Sequence, residues 1–215
     1  MRLAVCFRHA LCAFLLAAVP LASAQDKSPV LLVVGDSVSA GYGLAAGQGW
    51  VESLSKKLAA EGYRYRVVNA SISGDTTAGG RARLPALLAQ HKPAVVIVEL
   101  GGNDALRGGK LATTRENLDA MVAASQAAGA KVLVVGMEIP PNYGPAYARE
   151  FRDLYTSVST ARKASLVPSL FAGFGEDLAM FQPDRIHPTE EAQPLMMEQV
   201  WKALLPLLKE RQKAR

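Results

Sequence analysis

Short apolar runs alternate along the chain with stretches in which apolar residues recur every three or four positions. Residues 30–34 (VLLVV), 95–100 (VVIVEL) and 131–136 (KVLVVG) are continuous enough to read as strands buried on both faces. Arg66–Asn69 reads as another strand, and residues 166–168 as a weaker fifth. Between them, Trp50, Leu54 and Leu58 mark a helix face that ends at Gly62. Leu84, Leu87 and Leu88 mark a second helix over 82–90. Thr113 and Glu116 have the spacing of a capping box ahead of Leu118, Met121 and Val122, and Gly129 stops that helix. Residues 145–163 read as a long helix, and Thr189 as the cap of a last one with Glu190 and Glu191 in its first turn.

Buried strands separated by amphipathic helices predict an α/β fold, a three-layer, doubly wound parallel sheet with helices on both faces. In such sheets ligands bind beyond the carboxyl ends of the strands. The segments that follow the strands are Gly35-Asp36-Ser37-Val38-Ser39, Ser71-Ile72-Ser73-Gly74-Asp75, Gly101-Gly102-Asn103-Asp104, 137–144 (MEIPPNYG) and Asp184-Arg185-Ile186-His187-Pro188. Polar and glycine-rich residues therefore gather on one edge of the sheet.

Of three histidines, His9 lies near the start and His91 just before the third strand, at the opposite edge. Only His187 is on the polar edge, three residues after Asp184. A turn of that length brings a carboxylate to the imidazole, where it fixes the tautomer and stabilises the imidazolium. A serine hydroxyl attacks a carbonyl only when a base takes its proton. Ser37, directly after a buried strand, is the expected nucleophile. Oxyanion donors are expected in the backbone N–H groups of Ser37 and Gly74 and in the Asn103 amide. Singly, each of these is a common turn residue. Neither a Walker pattern nor G-x-G-x-x-G follows Gly35, so a phosphate-binding module of the same fold is the weaker reading.

Composition adds a destination. Arg2 and Arg8, an apolar stretch over 10–19 and the small-x-small Ala22-Ser23-Ala24 form the pattern of a secretory signal peptide over 1–24. The apolar stretch is too short for a stable membrane span. Residues 25–215 are then expected as a single periplasmic or secreted domain. Both cysteines, Cys6 and Cys12, would leave with the signal, so neither a disulfide nor a catalytic thiol remains. The remainder carries 22 basic and 19 acidic residues, a mild +3. The cations Lys209, Arg211, Lys213 and Arg215 suit a helix C-terminus, and no interleaved aromatics suggest nucleic acid. No cluster of metal ligands is evident, and a monomer is expected.

Taken together, GDSVS, ASISGDTT, GGND and DRIHP resemble the SGNH (GDSL-type) hydrolase family, with Val38 in place of the usual leucine. GDSVSAGYGL, VELGGNDALRG and PPNYG are similar to its bacterial periplasmic branch of multifunctional acyl-CoA thioesterase, lysophospholipase and arylesterase enzymes, over about residues 29–208. The resemblance implies a flavodoxin-like fold with strand order 2-1-3-4-5, no cofactor, and a Ser37, Asp184, His187 triad with Ser37, Gly74 and Asn103 as oxyanion donors. It implies substrate contacts from Asp75 and Thr76, an acyl pocket lined by Ile139 and Pro140, and a 75–80 loop that moves over bound acyl groups. It departs from the family at Arg185, where a glycine often stands. The expected reaction is hydrolysis of acyl esters and thioesters, including lysophospholipids, through an acyl-enzyme. An exported enzyme would not meet the cytosolic CoA pool, which favours lipid and small aryl or acyl esters. A carbohydrate acetylesterase on the same triad, or a non-catalytic binding module, are the alternatives.

Overall fold

The computed structural model describes residues 28–208, so the signal segment, both cysteines and the cationic tail lie outside the described residues. Five strands form one parallel sheet: β1 (Val30–Gly35), β2 (Arg66–Asn69), β3 (Val95–Glu99), β4 (Lys131–Val135) and β5 (Ser165–Val167). Their order is β2-β1-β3-β4-β5, as expected. The register pairs Val30 with Arg66, Leu31 with Val95 and Val95 with Lys131. β1 and β3 are buried along their whole length, which is why both read as nearly continuous apolar runs, β3 ending in the buried Glu99.

Among the described residues seven α-helices complete the layers: α1 (Ser37–Ala40), α2 (Trp50–Ala60), α3 (Thr77–His91), α4 (Gly102–Leu106), α5 (Leu111–Ala127), α6 (Pro145–Arg162) and α7 (Gln193–Leu204). α2 packs on α7, while α3, α5 and α6 pack side by side in that order. The core is one cluster that joins the strands to Trp50, Leu54, Leu84, Leu118, Met121, Phe151 and Tyr155. No helix among the described residues is long and apolar enough to cross a membrane.

Three helix starts differ from the sequence expectation. α3 begins five residues before 82, because the Thr76 hydroxyl accepts from the Gly79 N–H and caps it. Of the 75–80 segment, residues 77–80 are therefore the first turn of a helix and Thr76 is its cap. Its Gly80 is needed for close packing, since a Cβ there would strike Leu100. α5 begins at Leu111 after Lys110, with no side-chain cap, so Thr113 and Glu116 form no capping box. α7 begins at Gln193, with Pro194 in its first turn, where a missing N–H costs nothing. Thr189 is instead held by its N–H to the Met180 carbonyl, next to an antiparallel bridge between Phe181 and Pro188.

Candidate active site

The nucleophile turn is built at the end of β1. Gly35 closes the strand in a place where a Cβ would lie 2.7 Å from both Glu99 Oε2 and the Ser39 side chain. Asp36 then caps the four-residue α1, its Oδ1 accepting from the Val38 N–H at 3.0 Å. Ser37, the first residue of α1, is 8% exposed.

His187 reaches the same place from the segment between β5 and α7. Its carbonyl accepts from the Gln182 N–H at 2.8 Å, and the Gln182 amide donates to the Tyr42 carbonyl at 2.8 Å. These bonds clip the histidine turn to the chain that follows α1. Inside the turn, Asp184 Oδ1 accepts from the Ile186 and His187 N–H groups at 2.9 and 3.0 Å. Asp184 Oδ2 stands 2.7 Å from His187 Nδ1, and His187 Nε2 stands 2.8 Å from Ser37 Oγ. Partial burial works to raise the Asp184 pKa, but the His187 and Ile186 hydrogen bonds outweigh it and hold the carboxyl below its ordinary value. Arg185 takes φ +59°, a left-handed conformation that a glycine adopts without cost. The Tyr42 ring lies tilted on the His187 ring, with centroids 4.5 Å apart.

The three expected oxyanion donors come from three different strand ends. The Ile72 N–H donates to the Gly35 carbonyl at 3.0 Å, which brings the loop after β2 against the nucleophile turn. There the Asp75 N–H closes a turn on the Ile72 carbonyl, with Gly74 at φ +79°. The Gly74 carbonyl accepts from Arg107 Nη2 at 3.0 Å. Asn103, on α4 after β3, donates from Nδ2 to Asp36 Oδ2 at 3.1 Å. One carboxylate thus caps the helix of Ser37 and orients the Asn103 amide, whose second N–H can serve a ligand. Burial pushes the Asp36 carboxyl up to about 6, against the lowering effect of those two hydrogen bonds and of His187.

Beside Ser37 and His187 is a small open depression walled by Val38, Tyr42, Leu44 and Pro188. Ile139 and Pro140, the expected acyl wall, are half-buried in the segment after β4 and do not line it. Asp75 and Thr76, expected to touch substrate, are occupied in building α3. Asp75 Oδ2 pairs with Arg83 Nε at 2.7 Å, and Thr76 caps the helix. Sequence reasoning passed over Asp36, which caps α1 and holds Asn103, over Glu99 against Gly35, and over Tyr42 and Gln193, which line the depression. A carboxyl at the end of the apolar run VVIVE was the one available signal for Glu99. The bridging role of Asp36 had none.

Such an arrangement can pass a proton from a hydroxyl to an imidazole beside several N–H donors, which is the requirement of acyl transfer. Relatives agree. The GDSL-like Lipase/Acylhydrolase family matches residues 33–194. "Esterase TesA" of Pseudomonas aeruginosa is 54% identical over 191 residues, 89% of this chain and 95% of its own. "Thioesterase 1/protease 1/lysophospholipase L1" of Escherichia coli is 40% identical, covering 83% of this chain and 84% of its own. The crystal structure of TesA superposes with a TM-score of 0.82 at 56% identity, over 83% of this chain and 99% of that one. By sequence and by fold the chain belongs to the GDSL-like lipase/acylhydrolase family and is an ester-cleaving hydrolase.

Proposed function

We infer that Ser37 is the nucleophile, His187 the general base and acid, and Asp184 the group that holds the imidazole. The observation that carries this reading is the continuous chain from Ser37 Oγ to His187 Nε2 at 2.8 Å and from His187 Nδ1 to Asp184 Oδ2 at 2.7 Å. His187 takes the Ser37 proton as the oxygen attacks the acyl carbonyl. The N–H groups of Ser37 and Gly74 and the Asn103 amide receive the negative oxygen. Collapse expels the alcohol or thiol, protonated by His187. Water, deprotonated by the same ring, then releases the acid from Ser37.

The substrates are acyl esters and thioesters of small molecules, with a lysophospholipid among them. This reading draws on relatives whose names include esterase, thioesterase and lysophospholipase. Ile139 and Pro140 would meet the acyl chain from the segment after β4. The chemistry needs no cofactor, and we assign the enzyme to the periplasm or the exterior as a monomer. Hydrolysis of p-nitrophenyl esters of increasing acyl length, by wild type and Ser37→Ala, tests the assignment. Loss of activity in Ser37→Ala supports it, and an optimum at acetate would move the substrate class to carbohydrate acetyl esters. Survival of turnover in Ser37→Ala would remove Ser37 from the mechanism.

A further inference from the structure

α1 is too short to hold itself. It has four residues, and its N-cap Asp36 sits in an irregular backbone at φ −110° and ψ −147°. Isolated turns of helix are unstable, because several dihedrals are fixed for each hydrogen bond gained. Yet Ser37 Oγ must stay at 2.8 Å from His187 Nε2, and the proposed mechanism uses the Ser37 N–H as an oxyanion donor. The support has to come from a rigid neighbour.

Glu99 is that neighbour. It is the last residue of β3, paired in register with Gly35 and fully buried. Its Oε2 accepts from the Ser39 hydroxyl at 2.6 Å and lies 3.4 Å from the Asp36 N–H. These two residues flank Ser37 on either side. The same oxygen occupies the space that a Cβ at residue 35 would need, so Gly35 and Glu99 fit each other. Oε1 is buried with no hydrogen-bond partner among the described residues. A carboxyl in such a place is expensive and is not needed for packing, since a leucine would fill the strand end. We propose that Glu99 is a positioning residue for the nucleophile, fixing the turn on both sides of Ser37 from the rigid end of β3.

Burial favours the neutral acid at Glu99. Burial, and next the charge of Asp36, push its carboxyl well above the usual range, against the Ser39 hydroxyl and the Asp36 and Ser39 N–H groups. Tyr155, whose hydroxyl donates to the Leu100 carbonyl at 3.0 Å, adds no positive charge to this end of the site. A second anion beside Asp36 would oppose the negative oxygen formed on the substrate. The neutral form that burial favours keeps Oε2 as the acceptor of the Ser39 hydroxyl without adding that charge.

This inference rests on Ser37 as nucleophile, and the test separates the two. Glu99→Gln, Glu99→Leu, Ser39→Ala and Ser37→Ala are compared by kcat and KM on a p-nitrophenyl ester, and by the rate of labelling with a serine-directed fluorophosphonate. Misplacing a reacting group costs about 10–100-fold, so Glu99→Leu should lose that much kcat and labelling rate at nearly unchanged KM. Glu99→Gln, a neutral isostere, should restore most of both, and Ser39→Ala should behave like Glu99→Leu. A folded Glu99→Leu with wild-type kcat overturns the proposal, as does Glu99→Gln as slow as Glu99→Leu. If Glu99→Leu does not fold, Ser39→Ala decides: wild-type kcat there overturns it. Activity surviving in Ser37→Ala would sink the serine assignment itself, whereas an inactive Ser37→Ala beside an active Glu99→Leu sinks only the role of Glu99.

Discussion

Replacing Asp36 by Asn should change how stability depends on pH. In the native protein the Asp36 carboxyl is 2% exposed, and burial raises it from an ordinary 3.8 to about 6. The folded state therefore holds this proton to higher pH than the unfolded chain does. The sign follows from linkage: stability from this group is fully present below pH 3.8 and is lost as pH rises through 6. A displacement from 3.8 to about 6 corresponds to about 3 kcal/mol. Asn cannot titrate, so the variant lacks this fall. It has another cost, because its single oxygen must serve both the Val38 N–H and Asn103 Nδ2. One buried donor left over costs about 1–3 kcal/mol, the same at every pH. Asp36→Asn should therefore be less stable than wild type at pH 4 and level with it or better at pH 7.5. Urea denaturation followed by fluorescence of the buried Trp50 and Trp201 measures both across that range. A stability difference between the two proteins that stays constant from pH 4 to 7.5 would refute the reasoning.

Two further predictions concern the neighbours of Ser37. Asn103→Ala should lower kcat by about 10²–10³-fold with little change in KM, because an oxyanion donor acts on the transition state. Steady-state rates near those of wild type would remove Asn103 from the oxyanion site. Gln193→Ala should cost about 1–3 kcal/mol, since Gln193 Oε1 accepts the Trp50 N–H at 3.0 Å in the first turn of α2, which has no side-chain cap of its own. A shift in the urea midpoint worth less than about 0.5 kcal/mol would show that another group or water replaces it.

The layers were legible because β1, β3 and most of β4 are buried on both faces, so their sequences are nearly continuous apolar runs, whereas the strand order was implied by the family resemblance. Helix starts were less so. α3 begins at Thr77 and not near 82, because Thr76 caps it through its side chain, and the start was hidden because the residues before Ala82 carry no apolar stripe. Thr113 with Glu116 has the right spacing for a capping box, but the helix had already begun at Leu111. Local patterns of this kind state what a residue can do and leave open whether the chain asks it to. Ser37, Asp184 and His187 could be picked out because the edge rule left a single histidine with a carboxylate in reach. The joints between these residues could not. Asp36 meets Asn103 across 67 positions, Glu99 meets Ser39 across 60, and Gln182 meets the Tyr42 carbonyl across 140. Such contacts depend on register and loop path, which no periodicity encodes. Nor does any periodicity show that Arg83 and the α3 N-terminus take up the side chains of Asp75 and Thr76, the substrate contacts that the family resemblance implies.

The central claim is that Ser37 carries the acyl group. It is tested most directly by mixing the protein with excess p-nitrophenyl ester, quenching in acid within the first turnovers, and locating any added acyl mass by peptide mass spectrometry. The account predicts an ester on the peptide that holds Ser37, formed with a burst of nitrophenol and absent from Ser37→Ala. Turnover with no acylated peptide, or acylation at another residue that persists in Ser37→Ala, would contradict it.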